Sequence, residues 1–208
     1  MNITIVGYGN MGSALAQGLV KAGHKVVLTG KSPAKAEEAA AKAGARALPA
    51  SEAAAGADLI LATAPYSAQA DAVLALGNLA GKVVVDISNP LKADMSGLQL
   101  GYSTSAAEEI AKRLPGAQVV KAFNTIFAQV LQEGPGFRNG KGQVFFAGDG
   151  DAAKAKVKAL IESLGFEAMD AGPLANSRYL EPMGMLNIFF GYMAQQGTGI
   201  VPGWFRRG

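Results

Sequence analysis

Over the first 125 residues, short and almost unbroken apolar runs alternate with alanine-rich amphipathic stretches. NITIVG (2–7), KVVLTG (25–30), DLILATA (58–64), KVVVDIS (82–88) and AQVVKAF (117–123) have strand length. They carry Val, Ile or Leu at consecutive positions, the pattern of strands covered on both faces. Between them, MGSALAQGLVKAG (11–23) puts Met11, Leu15, Leu19 and Val20 on one helical face. SPAKAEEAAAKAG (32–44) predicts a helix with Ser32 at the N-cap, Pro33 in the first turn and Gly44 closing it. ARAL (45–48) predicts a short strand and SEAAAGA (51–57) a brief helix. SAQADAVLALGNL (67–79) and SAAEEIAKRLP (105–115) predict two further helices.

Strands alternating with helices and joined by right-handed crossovers make a doubly wound, Rossmann-type parallel sheet in an α/β fold. Past residue 125 the pattern changes. QVFFAGD (143–149), AAKAKVKALIESLG (152–165) and FEAMDAG (166–172) predict one more β-α-β unit extending the sheet. The tail YLEPMGMLNIFFGYMAQQG is rich in Met and aromatics, and is expected to be helical from about residue 174 despite Pro182, Gly184 and Gly191. Its apolar surface calls for burial against the sheet or a second subunit, so a homodimer is expected.

Composition narrows the function classes. The 208 residues are half hydrophobic and 17% charged, enough for a filled core, and the net charge of +3 is too small and scattered to argue for nucleic acid. With no cysteine and a single histidine, His24, disulfides, Cys nucleophiles and thiolate or multi-histidine metal sites are excluded. His24, in KAGHK between a helix and a strand, reads as a surface loop residue. The chain starts straight into MNITIVG with no basic or apolar leader, and no run of about 18 apolar residues could span a membrane. A cytoplasmic protein without membrane contact is expected.

GYGNMG (7–12) matches G-x-G-x-x-G directly after the first strand and at the opening of an amphipathic helix. That context turns a weak pattern into a dinucleotide-binding signature. Gly7 permits the tight turn, Gly9 lets the backbone approach a pyrophosphate, and Gly12 lets the helix pack on the strand. The amides of Asn10, Met11 and Gly12 would face the phosphates at the positive end of the helix. An acid ending the second strand would hold the adenosine ribose and repel a 2′-phosphate. None stands there. Thr29, Lys31, Ser32 and Lys35 occupy that strand end and the turn after it. Hydroxyls and cations in that turn suit a phosphate, so NADP is favoured over NAD.

Ligands of such sheets sit beyond the carboxyl ends of the strands. ATAPYS (62–67), DISNPL (86–91) and KAFNTI (121–126) follow three of them, with Pro65 and Pro90 directing the loops and Asn89, Asn124 and Thr125 offering hydrogen bonds. No His, Tyr-x-x-x-Lys or Lys–Glu arrangement suited to acid–base dehydrogenase chemistry lies at a strand end, and Lys121 reads as structural or as a salt-bridge member. Hydride passing between two stacked planar rings needs positioning more than proton transfer.

Across nearly its whole length the chain resembles the NADPH-dependent coenzyme F420 reductases and the cytosolic oxidoreductase domain of the STEAP metalloreductases. The resemblance rests on VGYGNMGSALAQGL, TGKSPAK, DISNP, VVKAFNTI, FFAGD and, most specifically, DAGPLANSRYLE (170–181). It implies an NADP-binding domain over 1–125 and an extension over 126–208 that packs on the same sheet and completes a second-ligand pocket. It also implies that Lys31, Ser32 and Lys35 bind the 2′-phosphate and that Ala64–Pro65 and Asn124–Ile126 flank the nicotinamide. A deazaflavin (coenzyme F420) or a flavin (FMN or FAD) would stack near Pro65, Asn124 and Leu174. Archaeal-type F420 reductases tend to carry a histidine in the segment matching AFNTI; here it has Asn124, as in the metalloreductase domains. Competing readings are an NADPH sensor without turnover, a soluble protein resembling a flavin or ferric reductase, and the β-hydroxyacid dehydrogenases or pyrroline-5-carboxylate reductases. The latter append an all-helical domain where this chain predicts a β-α-β unit.

Overall fold

The computed structural model describes residues 1–207. Eight strands form one sheet in the order β10-β9-β6-β5-β4-β1-β2-β3. They are β1 (Asn2–Val6), β2 (Lys25–Thr29), β3 (Arg46–Ala47), β4 (Leu59–Ala62), β5 (Val83–Asp86), β6 (Gln118–Ala122), β9 (Gln143–Gly148) and β10 (Glu167–Asp170). Between β6 and β9 lie a short helix, α6 (Ala128–Glu133), and a two-stranded hairpin of β7 (Gly136–Phe137) and β8 (Gly140–Lys141), none of which the pattern announced.

Period-two alternation in the strands feeds two cores. Leu59, Leu61, Val83 and Val85 point to one face, where α1 (Asn10–Lys21), α2 (Pro33–Ala43), α6 and α7 (Asp151–Ser163) cover them. Ile60, Ala62 and Val84 point to the other, under α3 (Ala50–Ala53), α4 (Tyr66–Leu74) and α5 (Ala106–Arg113). Burial of such side chains, about 1.5–3 kcal/mol each, drives the layering. On β9, Val144 and Phe146 join the first core while Phe145 and Ala147 meet Leu180 on the second face.

The pairings from β3 through β6 are parallel, but β9 runs antiparallel to β6, with Ala122 opposite Phe146, and β10 is parallel to β9. The sheet is therefore mixed at this edge. The six-residue α6 covers only about 9 Å at 1.5 Å per residue. It does not return the chain across the sheet, and β9 enters from the end where β6 leaves. The predicted β-α-β unit is present, reversed in direction.

The tail becomes a 3-10 turn at Leu174–Asn176, then α8 (Ser177–Ile188), then a π-helical turn at Phe189–Met193. Pro182 sits inside α8, and the tail is helical through it as expected. His24 is half-buried rather than free on the surface, bridging the N-terminal amine (3.1 Å) and Ser163 Oγ (2.8 Å). Burial and then the neighbouring amine hold its pKa below the usual histidine value. Among the described residues, no helix is long and apolar enough to cross a membrane.

Candidate functional site

The strand order reverses between β4 and β1, and there the carboxyl ends of β1, β2, β4 and β5 surround a cavity of about 860 Å³. Its wall comes from the glycine loop (Gly7–Met11), the end of β2 (Thr29–Lys31), Thr63–Tyr66 after β4 and Ile87–Asn89 after β5.

The glycines of the loop divide into two kinds. Gly7 has φ +120°, and a Cβ there would lie 2.5 Å from Thr63 Oγ1. A Cβ on Gly12 would lie 2.3 Å from the Gly7 carbonyl oxygen. Both are glycines because the protein packs against them. Gly9 meets nothing within 4 Å, and its φ of −71° is open to any residue. It is the N-cap of α1 and supplies no side-chain cap, so the first-turn amides of α1 are left for another acceptor. A bare, donor-lined helix start facing open space fits a pyrophosphate.

At the other side of the loop, Tyr8 is a residue that sequence reasoning passed over. Its ring lies against Gly30, where a Cβ would come within 2.6 Å, and its phenol oxygen accepts a hydrogen bond from the Ser32 amide at 3.0 Å. Lys31 lines the cavity and is exposed. Lys35 lines a neighbouring hollow of about 240 Å³, and Tyr8 borders both spaces. Ser32 caps α2 with Pro33 following and Gly44 closing it at φ +69°, as the pattern indicated, but the Ser32 hydroxyl makes no cap bond. Thr29 is buried at the cavity wall. No rule about acids after β2 would have found Tyr8; the only clue was an aromatic inside the glycine loop, packed over a glycine 22 residues further along the chain.

The far wall is built differently. Asn89 lines the cavity, but Asn124 stands behind it: Asn89 Nδ2 donates to the Asn124 carbonyl (2.8 Å) and Asn124 Nδ2 donates to Asn89 Oδ1 (3.0 Å) and to the Leu180 carbonyl (2.8 Å). Asn124, Thr125 and Ile126 are buried and do not line the cavity. Phe123, fully buried, holds φ +61°, a strained value for a bulky residue, and so turns the chain sharply at the end of β6. Leu174 lies apart from this wall, in the apolar core under α5, with its amide donating to Asp149 at 2.9 Å. Ala64 and Pro65 line the cavity, and beside them Tyr66 keeps its proton, its pKa raised first by burial and then by the charge of Glu109.

Behind the far wall lies a charged cluster. Lys121, read from sequence as structural or salt-bridged, is completely buried and paired with Asp86 at 2.7 Å and Glu181 at 2.8 Å. Gln69 also donates to Asp86. Glu181 caps α5 by accepting from the amides of Ala106 (2.9 Å) and Ala107 (3.2 Å). Nearby, Arg178 chelates Glu108, a residue of the Ser105–Glu108 box at the start of α5. The Arg178 hydrogen bonds hold the Glu108 carboxyl below its usual range. The NSRYLE stretch thus spends its charges on α5 and β6.

Comparison with known proteins agrees with this geometry. Residues 2–90 match a family described as NADP oxidoreductase, coenzyme F420-dependent. The F420-dependent NADP reductase of Methanothermobacter marburgensis is 30% identical over 202 residues, which cover 87% of this chain and 88% of that protein. The metalloreductase STEAP3 of Rattus norvegicus is 33% identical over 180 residues and 86% of this chain, which spans only 35% of that protein's length. A crystal structure of a putative F420-dependent NADP reductase from Arthrobacter sp. FB24 superposes with a TM-score of 0.82 at 28% identity, covering 95% of this chain and 96% of that one. The chain belongs to the coenzyme F420-dependent NADP oxidoreductase family.

Proposed function

We propose that the chain carries a hydride between NADPH and coenzyme F420 or a flavin (FMN or FAD) stacked on its nicotinamide. The observation that supports this reading best is the asymmetry of the cavity wall. Uncapped amides stand at the glycine loop with the exposed Lys31 beside them, whereas the Asn89 side chain is spent on the protein itself. NADPH, when bound, supplies the hydride.

The amides of Asn10, Met11 and Gly12 hold the pyrophosphate, and Gly9 leaves room for it. Lys31, Ser32, Lys35 and the phenol of Tyr8 take the 2′-phosphate, with Thr29 closing the strand end. Ala64, Pro65 and Asn89 flank the nicotinamide, and Asn124 and Thr125 act from behind by fixing Asn89 and the end of β6. Ile126 and Leu174 pack the base of the segments that carry this wall. Residues 1–125 form the nucleotide-binding part and 126–208 the extension that completes the second-ligand pocket. The ring faces need orientation and exclusion of water rather than a proton donor.

A second copy of this chain is proposed to cover the exposed apolar residues of the tail, among them Leu186, Phe189, Tyr192 and Trp204. Sedimentation at micromolar concentration should give a dimer, and a monomer would contradict it.

The reaction is tested by anaerobic NADPH oxidation with F420, FMN and FAD offered separately and NADH as control. Turnover with NADPH and at least one of these acceptors is expected. Tight NADPH binding with turnover on none would replace this reading by that of a nucleotide sensor.

A further inference from the structure

The buried Asp86–Lys121–Glu181 cluster touches neither the cavity nor solvent, yet it holds the cavity's far wall by its backbone. The ammonium of Lys121 has three protons and three acceptors: Asp86 Oδ2 (2.7 Å), Glu181 Oε1 (2.8 Å) and the Ser88 carbonyl (2.6 Å). Asp86 Oδ1 accepts from both the amide and the hydroxyl of the same Ser88, each at 2.8 Å. The cluster therefore grips Ser88 at N–H, Oγ and C=O, one residue before Asn89.

On its other side the cluster reaches α8. Glu181 follows Leu180, whose carbonyl binds Asn124, and precedes Gly184 by three residues. A Cβ on Gly184 would lie 2.8 Å from both Asn89 Oδ1 and the Asn124 carbonyl oxygen, so helix and wall meet with no space between.

We propose that Lys121 is a positioning residue whose ammonium joins the Ser88–Asn89 wall to α8 as one rigid piece, so that hydride transfer depends on it and nucleotide binding does not. The claim rests on the function proposed above. Burying one ammonium with two carboxylates is costly, and an apolar side chain of the same size would often stabilise as well. What an apolar residue lacks is direction: three fixed bonds set where the Ser88 carbonyl and α8 must be. The second negative charge is met by the start of α5, through Ala106 and Ala107. Although burial opposes the charge, Asp86 and then Glu181 outweigh it and hold the Lys121 pKa above its ordinary value. It stays a fixed cation at neutral pH and has no proton to offer in the reaction.

The test is the triple variant Asp86→Asn/Lys121→Met/Glu181→Gln, which removes the three charges together and leaves none unpaired. Expected are a cooperative thermal melt, an NADPH dissociation constant within threefold of the parent, and a hydride-transfer step at least tenfold slower in single-turnover mixing. Amide hydrogen exchange should rise together in 87–91 and 180–188 while 7–12 and 26–35 exchange as in the parent. Unchanged exchange at 87–91, a rise in only one of the two segments, or an unchanged transfer rate would overturn the proposal. If the triple variant does not melt cooperatively, Glu181→Gln is read instead. It keeps the Lys121–Asp86 pair, and a smaller joint rise in the same two segments is expected; a rise in one alone contradicts the clamp. The exchange readout needs no acceptor, so it decides the clamp even if the parent protein turns over neither F420 nor a flavin.

Discussion

The two walls of the cavity follow opposite rules. On the glycine-loop side, donors are left without partners: the start of α1 has no side-chain cap, Gly9 faces empty space, and Lys31 is exposed. On the Asn89 side the groups that shape the wall are engaged with the protein: Asn89 with Asn124, Ser88 with Asp86 and Lys121, Lys121 with Glu181. Among the described residues, only atoms behind it, Asn124 Oδ1, Thr125 Oγ1 and Gln69 Oε1, are buried there without a partner. Unsatisfied groups have free energy to give to a ligand, whereas satisfied ones in a low-dielectric interior fix geometry. The first wall is built to bind and the second to hold still.

Breaking the second wall should cost most. Lys121→Met alone leaves two buried carboxylates without their cation, and removing one partner of a buried ion pair typically costs about 3–5 kcal/mol. Urea unfolding should show a loss of that size, and a loss under about 1 kcal/mol would mean that the cluster is solvated or protonated. Next in size is Gly12→Ala, whose Cβ would collide with the Gly7 carbonyl. Overpacking of this kind costs about 1–3 kcal/mol, so the melting temperature and NADPH binding should fall together.

On the binding wall the effects should appear in affinity. Lys31→Ala is expected to weaken NADPH roughly tenfold, on the order of one charge-assisted hydrogen bond, and to leave NADH almost unchanged. Equal losses for both nucleotides, read by fluorescence titration, would remove Lys31 from the 2′-phosphate site. The smallest effect concerns Arg178–Glu108, which ties α8 to α5. Because the folded-state pKa of Glu108 is depressed, the stability it contributes is complete above the ordinary carboxylate value. That contribution is lost as pH falls through the lower, folded value. Arg178→Gln should therefore lower stability slightly in the neutral region and change little at the acid end, so that the acid limb of a stability–pH profile flattens.

The same contrast explains what the sequence disclosed. Binding by unsatisfied backbone needs short, local patterns, and GYGNMG followed by TGKSPAK is readable because all its parts lie within one β-α-β unit. The strand–helix alternation was legible for the same reason. The holding wall joins Asp86, Lys121 and Glu181, which are 35 and 60 residues apart along the chain, so no local spacing reports it. Asn124 could be named as a strand-end residue, but not placed behind Asn89, because that depends on the turn at Phe123 and the approach of α8 at Gly184. The reversal of β9 was hidden likewise, since apolar alternation gives a strand's faces but not its direction. Tyr8 escaped for a different reason: its meaning lies in a contact with Gly30 and Ser32 that only the folded turn creates.

The most direct measurement is a paired titration and melt of Gly9→Ala. Its Cβ touches nothing in the protein, so the melting temperature should stay close to the parent's, with a stability change within about 1 kcal/mol for an N-cap exchange. NADPH affinity should fall at least tenfold, because the methyl group occupies the space left beside the amides of α1. A variant that keeps both its stability and its affinity would contradict the account, since the open wall would then not be where the nucleotide binds.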